Sequence, residues 1–111
     1  MSEPQDGERK VYNRGGDHTA NFVLAARLRE IYRQERWNHH YGKRELTEWG
    51  LKTEHEQAHD HAIEMILVKI ARIATGDVVE DNYVDIRGYA ELARMSALRA
   101  KEEGEQRDSK R

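Results

Sequence analysis

The sequence AIEMILVKIARIATGDVVEDNYVDIRGYAEL, residues 62–92, decides the fold because it reads as two helices joined by a short turn. At about 100° per residue, its first half gathers apolar residues on one helical face. Asp60, Glu64 and Arg72 fall on the opposite face, and Lys69 lies at the border. We expect the apolar face to pack in the core, and it consists of Ile63, Ile66, Leu67, Ile70, Ile73 and Ala74.

The second half of this stretch carries a carboxylate on a weakly polar helical face. Asp85 lies near the middle of that face, and an ion buried without a partner costs several kcal/mol or more. We therefore expect Asp85 to be largely buried, with Lys69, Arg72, Asn21 or a metal ion within reach, or else to line an open site. The other residues of the face are Val84, Gly88, Tyr89, Leu92, Met95 and Ser96.

A capping box marks the start of the central helix. Thr53 is followed three residues later by Glu56, so that each side chain can bond the backbone N–H of the other. Gly76 follows the apolar repeat and suits a C-cap position. These local signals predict a helix over residues 54–75.

Two further helices flank the central one. Asp17 suits an N-cap and opens a predicted helix over residues 17–36, on whose inward side Asn21 also lies. We assign Asp17 and Asn21 structural polar roles. The third long helix is predicted over residues 81–101, and a short connecting helix is predicted over residues 46–49.

The predicted fold class is all-α, a small compact bundle of three principal helices and a short connecting helix. Residues 1–16 form a predicted N-terminal tail, residues 17–101 the helical domain, and residues 102–111 a charged C-terminal tail. With 37% hydrophobic and 36% charged residues, the domain has a thin core under a charged surface. Self-association would add buried apolar surface, so we expect a homo-oligomer.

Composition excludes several classes of protein. The chain has no cysteine, so it has neither a disulfide nor a thiolate metal site. No stretch has signal-peptide or membrane-spanning character, and we expect a cytoplasmic protein without a membrane partner. A net charge of -2 argues against a general nucleic-acid binder. Arg27, Arg29, Arg33 and Arg36 could form a local basic patch, although a solvated helix face explains them more simply.

The sequence His55-Glu56-Gln57-Ala58-His59 matches the H-E-x-x-H pattern of zinc metalloproteases. In those enzymes the two imidazoles bind zinc from one helical face and the glutamate acts as general base. Here the flanking residues are charged and no third ligand is apparent. We expect exposed histidines near a helix start and keep the zinc metalloprotease as a remote alternative.

Carboxylates recur at every fourth position on two successive predicted helices. Glu56, Asp60 and Glu64 share a face of the central helix, and Asp81 and Asp85 share a face of the third. Two such helices could direct carboxylates at each other, which would suit Mg²⁺ with water and phosphate oxygens as its other ligands. Solvated acidic faces give the same pattern.

Lys69 and Arg72 form a cationic pair on the flank of the apolar helix. They can bind a phosphate or neutralise Asp85. A purely structural ion pair that fixes two helices in register is the competing interpretation.

These residues resemble those of a known family. KIARI at 69–73, DNYVDI at 81–86 and GYA at 88–90 look like the helical domain of phage proteins called nucleotide-modification-associated. Similar small phage proteins are grouped with MazG-like nucleotide pyrophosphohydrolases. The opening G-D-x-x-x-N-F pattern at 16–22 also fits, so the resemblance covers about residues 16–92.

The resemblance implies an all-α phage protein in the host cytoplasm that handles nucleotides. MazG-like enzymes carry E-x-x-E on one helix and E-x-x-D on the next, and these carboxylates bind Mg²⁺ for attack of water on a nucleoside triphosphate. The nearest equivalents here have a spacing of four: Asp60 and Glu64, then Asp81 and Asp85. The implied metal ligands are these four residues.

The same resemblance assigns catalytic roles to Glu64, Asp81 and Asp85, while Lys69 and Arg72 are the candidate phosphate ligands. We expect a protein that binds a nucleotide phosphate with Mg²⁺ and hydrolyses it as MazG-like enzymes do. The alternative is a non-enzymatic phage protein that binds a host protein through exposed aromatic residues. Those residues are Trp37, Tyr41 and Trp49.

Overall fold

The computed structural model describes residues 18–44 and 52–110, with side chains as far as residue 106. The all-α class is confirmed, because these residues contain helices and no strand. None of these helices has the length and apolar character needed to span a membrane. In chain order the elements are helix α1 (His18–His39), the 3-10 helix η1 (Tyr41–Lys43), helix α2 (Glu54–Thr75) and helix α3 (Glu80–Lys110).

Helix α2 has the predicted bounds because its capping signals are local. The Thr53 hydroxyl accepts a hydrogen bond from the Glu56 N–H at 3.2 Å, and Glu56 Oε1 accepts one from the Thr53 N–H at 3.0 Å. Gly76 is the C-cap residue, with an extended backbone at φ -133° and ψ -170°. The predicted helix over 54–75 is confirmed at both ends.

Helix α1 is longer than predicted. It continues past the predicted end at residue 36 to His39, so that Trp37, which the predicted boundary leaves outside, lies in the helix. Two side-chain pairs one turn apart support the added turn. Gln34 donates to Asn38 at 2.9 Å, and Glu35 pairs with His39 at 2.9 Å.

Helix α3 begins one residue early, at Glu80, and continues through Lys110, so residues 102–110 of the predicted tail are helical. These residues are mostly good helix formers, and Gly104 weakens a helix by about 1 kcal/mol without ending it. The ion pair between His55 and Glu103 at 3.0 Å joins this extension to the start of α2. Asp17, the connecting helix at 46–49 and the tail at 1–16 lie outside the described residues.

Helix α2 is the central element and packs on both α1 and α3. The short turn at residues 76–79 makes α2 and α3 antiparallel neighbours. The buried apolar side chains are small, apart from one tyrosine, and small side chains let the helix axes approach closely. They are Ala25, Tyr41, Ala62, Ala71 and Ala93.

The predicted inward face of α3 is only partly correct. Val84, Leu92 and Met95 are exposed, whereas Tyr89 and Ser96 are half-buried. The fully packed positions are Asn82 and Ala93, so the small and polar side chains of α3 meet α2 most closely.

The predicted core face of α2 is only partly correct. Ile70 and Ala74 are exposed, while Asp60 and Glu64, which we placed on the polar side, are buried. This helix lies between two others, and its polar side packs against α1 through ion pairs. A single apolar stripe therefore does not describe how α2 is buried.

The capping box yields a stability prediction. Thr53→Ala should destabilise the protein by about 1 kcal/mol, because the Glu56 N–H loses its acceptor. Urea unfolding followed by circular dichroism measures this change. Thr53→Ser keeps a hydroxyl in place and should retain nearly the full stability of the parent chain. Equal losses in both variants would contradict a role for the hydroxyl.

Candidate functional site

The buried carboxylate of Asp60 is the most highly bonded group in the described structure. Its side chain is only 3% exposed. Tyr32 Oη donates to Oδ1 at 2.8 Å, Tyr41 Oη donates to Oδ2 at 2.5 Å, and Arg36 Nε donates to Oδ1 at 3.1 Å. Asp60 thus ties α1 and η1 to α2.

Two further groups reach the same carboxylate. His59 Nδ1 lies 2.8 Å from Oδ1, and Lys52 Nζ lies 3.2 Å from Oδ2. Burial by itself would raise the pKa of Asp60, but the hydrogen bonds from Tyr41, His59 and Tyr32 outweigh it and lower the pKa to about 2. A carboxylate with five such partners has its acceptor capacity filled. Asp60, a predicted metal ligand, therefore has a structural role: it bonds residues of α1 and η1 to α2.

Tyr41 is buried at the centre of a ring of cations. Arg36, Arg44 and Lys52 each lie over the aromatic ring, at 5.0, 4.8 and 4.9 Å from its centroid. Arg36 Nη2 also donates to Tyr41 Oη at 2.7 Å. Burial and the hydrogen bond to Asp60 raise the pKa of Tyr41. The prediction that Tyr41 is an exposed aromatic contact for a host protein is therefore wrong, and Trp49 lies outside the described residues.

Glu56 binds Arg44 in a two-pronged ion pair. Arg44 Nη1 donates to Oε1 at 2.8 Å, and Arg44 Nη2 donates to Oε2. Burial acts to raise the pKa of Glu56, but the bonds from Arg44 and Thr53 lower it overall. Glu56 therefore fixes Arg44, the residue directly after η1, against the start of α2.

The H-E-x-x-H residues point to three different partners. His55 pairs with Glu103 on α3, and His59 bonds Asp60. Glu56 is held by its arginine. His55 and Glu56 thus make tertiary contacts, whereas His59 bonds its neighbour within α2. The expectation of exposed histidines is wrong for His55 and His59, which are half-buried.

Glu64 faces α1. Its Oε1 atom accepts from Arg29 Nε at 3.0 Å and lies 2.5 Å from Arg33 Nη2. Both arginines come from one face of α1, one turn apart. Glu64 therefore joins α1 to α2, on a different side of α2 from the one that pairs with Asp85.

Lys69 and Asp85 form the ion pair that the sequence predicted. Lys69 Nζ lies 3.0 Å from Asp85 Oδ2, and the Lys69 side chain is 10% exposed. The expected burial of Asp85 is wrong, because its side chain is 42% exposed. Asp85 lies at the edge of the packed face of α3, where one oxygen can meet Lys69 and the other can meet solvent.

Two buried asparagines belong to the same three-helix region. Asn21 on α1 is 3% exposed, and Asn82 on α3 is 1% exposed. The Asn82 N–H donates to the Val79 carbonyl at 3.1 Å, as the first turn of α3 forms. Among described residues, Asn21 Oδ1 has no hydrogen-bond donor. An unsatisfied buried carbonyl oxygen costs about 1–3 kcal/mol, which calls for a partner or a ligand.

Helix register places these asparagines at about the same height along the bundle as Arg72. In two antiparallel helices, residues an equal number of positions from a contacting pair, in opposite chain directions, lie at the same height. Asn21 is eight residues before Arg29, and Arg72 is eight residues after its partner Glu64. Asn82 is three residues before Asp85, and Arg72 is three residues after its partner Lys69.

The four predicted metal ligands do not form one cluster. Asp60 and Glu64 bond to residues before α2, whereas Asp81 and Asp85 lie on α3, with Asp81 exposed. Within residues 18–44 and 52–110, no three His, Cys, Asp or Glu side chains are grouped to hold a metal ion. Asp81 and Asp85 are one turn apart on α3, and Asp85 contacts Lys69.

The bonds from Tyr32, Arg36 and Tyr41 to Asp60 were not predicted from the sequence. Tyr32 and Arg36 are four residues apart on α1, so they share a face. That spacing, together with the buried position of Asp60 on the polar side of α2, was the available signal. The solvated helix face expected for Arg36 is therefore wrong, because its guanidinium bonds the buried Asp60.

Asp60 yields a prediction for stability and its pH dependence. Asp60→Asn should destabilise the protein by roughly 3–5 kcal/mol, because Arg36 and Lys52 lose a buried counter-ion. The pKa of Asp60 is lower in the folded chain than the value of 3.8 in the unfolded chain, so its ionised carboxylate stabilises the fold at pH values above 3.8. This contribution is lost as the pH falls toward about 2. Urea unfolding between those pH values should show a steeper loss for the parent chain than for Asp60→Asn.

The exposed Asp77 in the turn between α2 and α3 provides the control. Asp77→Asn should change stability by no more than about 0.5 kcal/mol. Equal stabilities of the two variants would show that the bonds to Asp60 do not hold α1 on α2.

Comparison with known proteins identifies a family. The model of the family described as Domain of unknown function (DUF6378) matches residues 7–97, which include α1, α2 and the first half of α3. No curated protein and no solved structure matches the chain at a significant level. Because the matched region covers more than half of the sequence, the chain belongs to the DUF6378 family.

Proposed function

We propose that the protein binds a nucleotide through its phosphate groups, together with Mg²⁺, and hydrolyses this nucleotide as MazG-like pyrophosphohydrolases do. The proposed location is the hairpin site, which we define as Lys69, Arg72, Asp81 and Asp85. One observation carries the proposal: the ammonium of a nearly buried lysine lies 3.0 Å from a carboxylate that is open to solvent. The resemblance of residues 69–90 supports the same substrate class.

The Lys69 and Asp85 pair is suited to exchange partners. A fully buried ion pair is fixed by the cost of exposing either charge. Asp85 is 42% exposed, so its carboxylate can bind another cation without unfolding α3. Lys69 would then be available for a phosphate oxygen, and Arg72 lies one turn further along the same helix.

The carboxylates of the hairpin site fit Mg²⁺ with a small number of protein ligands. Asp81 and Asp85 lie on one face of α3, and Mg²⁺ commonly binds one or two carboxylates together with waters and substrate phosphates. When bound, such an ion neutralises phosphate charge and orients a water molecule. The proposal leaves out Asp60 and Glu64, because arginines on α1 hold both.

The proposed reaction cleaves a nucleoside triphosphate into two products. Water attacks the α-phosphorus, the bond from that phosphorus to the bridging oxygen breaks, and pyrophosphate leaves with the bonding electrons. Lys69 and Arg72 would stabilise the negative charge that develops on the phosphates. A solvent-exposed carboxylate of Asp81 or Asp85 would accept the proton of the attacking water. We place this activity in the cytoplasm of a host cell, as the resemblance to phage proteins implies.

Binding measurements test this proposal. Lys69→Ala and Asp81→Asn should each weaken Mg²⁺-dependent binding of deoxynucleoside triphosphates by about tenfold or more, the effect of losing one charge-assisted contact. Calorimetry with and without Mg²⁺ measures the affinity. A panel of nucleoside triphosphates, read by pyrophosphate release, tests hydrolysis.

Asp81 is the informative position because it is exposed, so that Asp81→Asn should keep the melting temperature of the parent chain. Glu91→Gln, an exposed change on α3 outside the hairpin site, should bind like the parent. The proposal fails if no nucleotide gives a Mg²⁺-dependent signal, or if Asp81→Asn binds as tightly as Glu91→Gln.

A second proposal concerns the partner of the outer face of α3. We propose that Val84, Leu92, Met95 and Leu98 pack against the same residues of a second copy. All four are exposed. Val84, Met95 and Leu98 lie on the side of α3 opposite the buried Asn82 and Ala93, and Leu92 lies at the edge of that face. Few large apolar side chains are buried in the described chain, which leaves this face as the main unused apolar surface.

The charges beside this face fit a symmetric pair. The exposed Glu91 and Arg94 form an ion pair at 2.7 Å within one helix. When two copies of α3 pack antiparallel about Leu92, Arg94 of each is level with Ala90 of the other, one residue from Glu91. A symmetric dimer uses the same patch on both copies, so a patch carrying both signs is self-complementary. A standard interface buries on the order of 800 Å² per partner.

Light scattering on the purified protein tests the dimer. The parent chain should have twice the monomer mass, and Leu92→Glu should shift it to the monomer because paired carboxylates would meet at the centre of the interface. Arg27→Glu, an exposed change on α1 away from this face, should leave the mass unchanged. If the parent chain has the mass of a monomer, the dimer proposal is wrong, and the alternative that a host protein binds this face is favoured.

A further inference from the structure

A polar cavity lies at the opposite end of α2 from the hairpin site. It has a volume of about 430 Å³ and is bounded by Arg36 and His40 before α2, Arg44 after η1, and Lys101 on α3. Its α2 residues precede Lys69 and Arg72 by thirteen positions, or about 20 Å along the helix. This volume falls within the range of about 300–1,000 Å³ that is typical of ligand pockets.

The cavity exists because α3 presents small side chains there. Ala97 and Ala100 form its α3 wall. Larger residues at these two positions would fill the space between α3 and the start of α2. Lys101 follows directly, so that a flexible cationic side chain borders an open space.

Positive charge exceeds negative charge around the cavity. Glu56 is the single carboxylate in the described lining, and its partner is Arg44. Asp60, directly beneath, is surrounded by Arg36 and Lys52. With Lys101 added, the lining itself holds three permanent cations and one carboxylate, a surplus of two positive charges. The further carboxylate of Glu103, two residues after Lys101, is paired with His55.

The cations retain capacity for a ligand. A guanidinium has five N–H donors, and Arg36 uses its Nε and one Nη atom in the hydrogen bonds to Asp60 and Tyr41. Lys101 is exposed and forms no salt bridge within the described part of the chain. Arg36 is fixed by its bonds to the buried network, so its position at the cavity wall is set before any ligand arrives.

The two histidines supply further polar groups without adding a fixed charge. Burial and the nearby charge of Arg36 lower the pKa of His40, so that its ring is neutral near pH 7. His59 donates from Nδ1 to the ionised Asp60, which directs the other ring nitrogen away from that carboxylate. The lining thus combines arginine and lysine donors with imidazole groups, a set suited to an oxyanion.

We infer that this cavity binds a phosphoryl group, either as inorganic phosphate or at the end of a small phosphorylated molecule, through Arg36, Arg44 and Lys101. The inference depends on three observations: an open cavity, a surplus of two positive charges, and an arginine held in place by buried hydrogen bonds. Phosphate matches this set because its oxygens accept from several donors at once and its charge of about two offsets the surplus. The site is separate from the hairpin site and does not need Mg²⁺.

Phosphate titration of the full chain tests the inference. Histidine ring resonances of His40 and His59 should shift with inorganic phosphate in metal-free buffer, and sodium chloride at matched ionic strength should not reproduce the shift. Lys101→Ala should weaken phosphate binding by about tenfold, since one charge-assisted contact is lost. Arg99→Ala removes an exposed cation from the same helix outside the cavity lining and should bind like the parent.

A parallel titration with a nucleoside monophosphate distinguishes the two sources of the phosphoryl group. Tighter binding than that of inorganic phosphate identifies a phosphorylated molecule as the ligand, and equal or weaker binding identifies free phosphate. Absence of histidine shifts with both probes would overturn the inference, as would equal affinities for Lys101→Ala and Arg99→Ala. Lys69→Ala should leave this binding intact, so failure here is distinct from failure at the hairpin site.

Discussion

The hydrogen bonds from Tyr32 and Tyr41 to Asp60 determine how the N-terminal half of the chain is attached. Asp60 lies on the side of α2 that faces α1, where an apolar side chain would ordinarily pack. Because the carboxylate is buried, each donor must reach it in a defined geometry. Asp60 and Tyr41 also accept hydrogen bonds from Arg36, which hold its guanidinium over the ring of Tyr41 and at the wall of the cavity proposed to bind phosphate. A structural carboxylate thereby organises a candidate binding surface without contacting the ligand.

The two ends of α2 differ in the way they hold charge. At the N-terminal end, Asp60 and Glu56 are enclosed by partners and their pKa values are lowered, so they stay ionised and fixed. At the C-terminal end, Asp85 forms an ion pair with Lys69, and its side chain is partly exposed to solvent. Fixed pairs suit a rigid frame, whereas a half-exposed pair can exchange its partner. This contrast separates the part of the protein that maintains its shape from the part proposed to bind a nucleotide.

The helices could be predicted because their signals are local in the sequence. The packed faces and the ion pairs between helices were harder to predict, because they depend on tertiary contacts. The capping box at Thr53 and the glycine at Gly76 act within a few residues, so both ends of α2 could be read from the sequence. The short turn before α3 likewise made the Lys69 and Asp85 contact predictable. The packed face of α3 was not, because small residues rather than large apolar ones face α2 there. Nor did the sequence indicate that Asp60 would meet donors on α1, since that depends on how two helices are oriented.

The small apolar core has a thermodynamic consequence. The heat capacity of unfolding rises with newly exposed apolar area and falls with newly exposed polar area. Among the described residues, four alanines and one tyrosine are the buried apolar side chains, and carboxylates, asparagines and a lysine are buried beside them. Unfolding of these helices therefore exposes a more polar interior than a core of leucine and isoleucine would, and we expect a small heat-capacity change. The free energy of unfolding of a single copy then varies little with temperature, and cold weakens its fold less than that of a protein with a large apolar core.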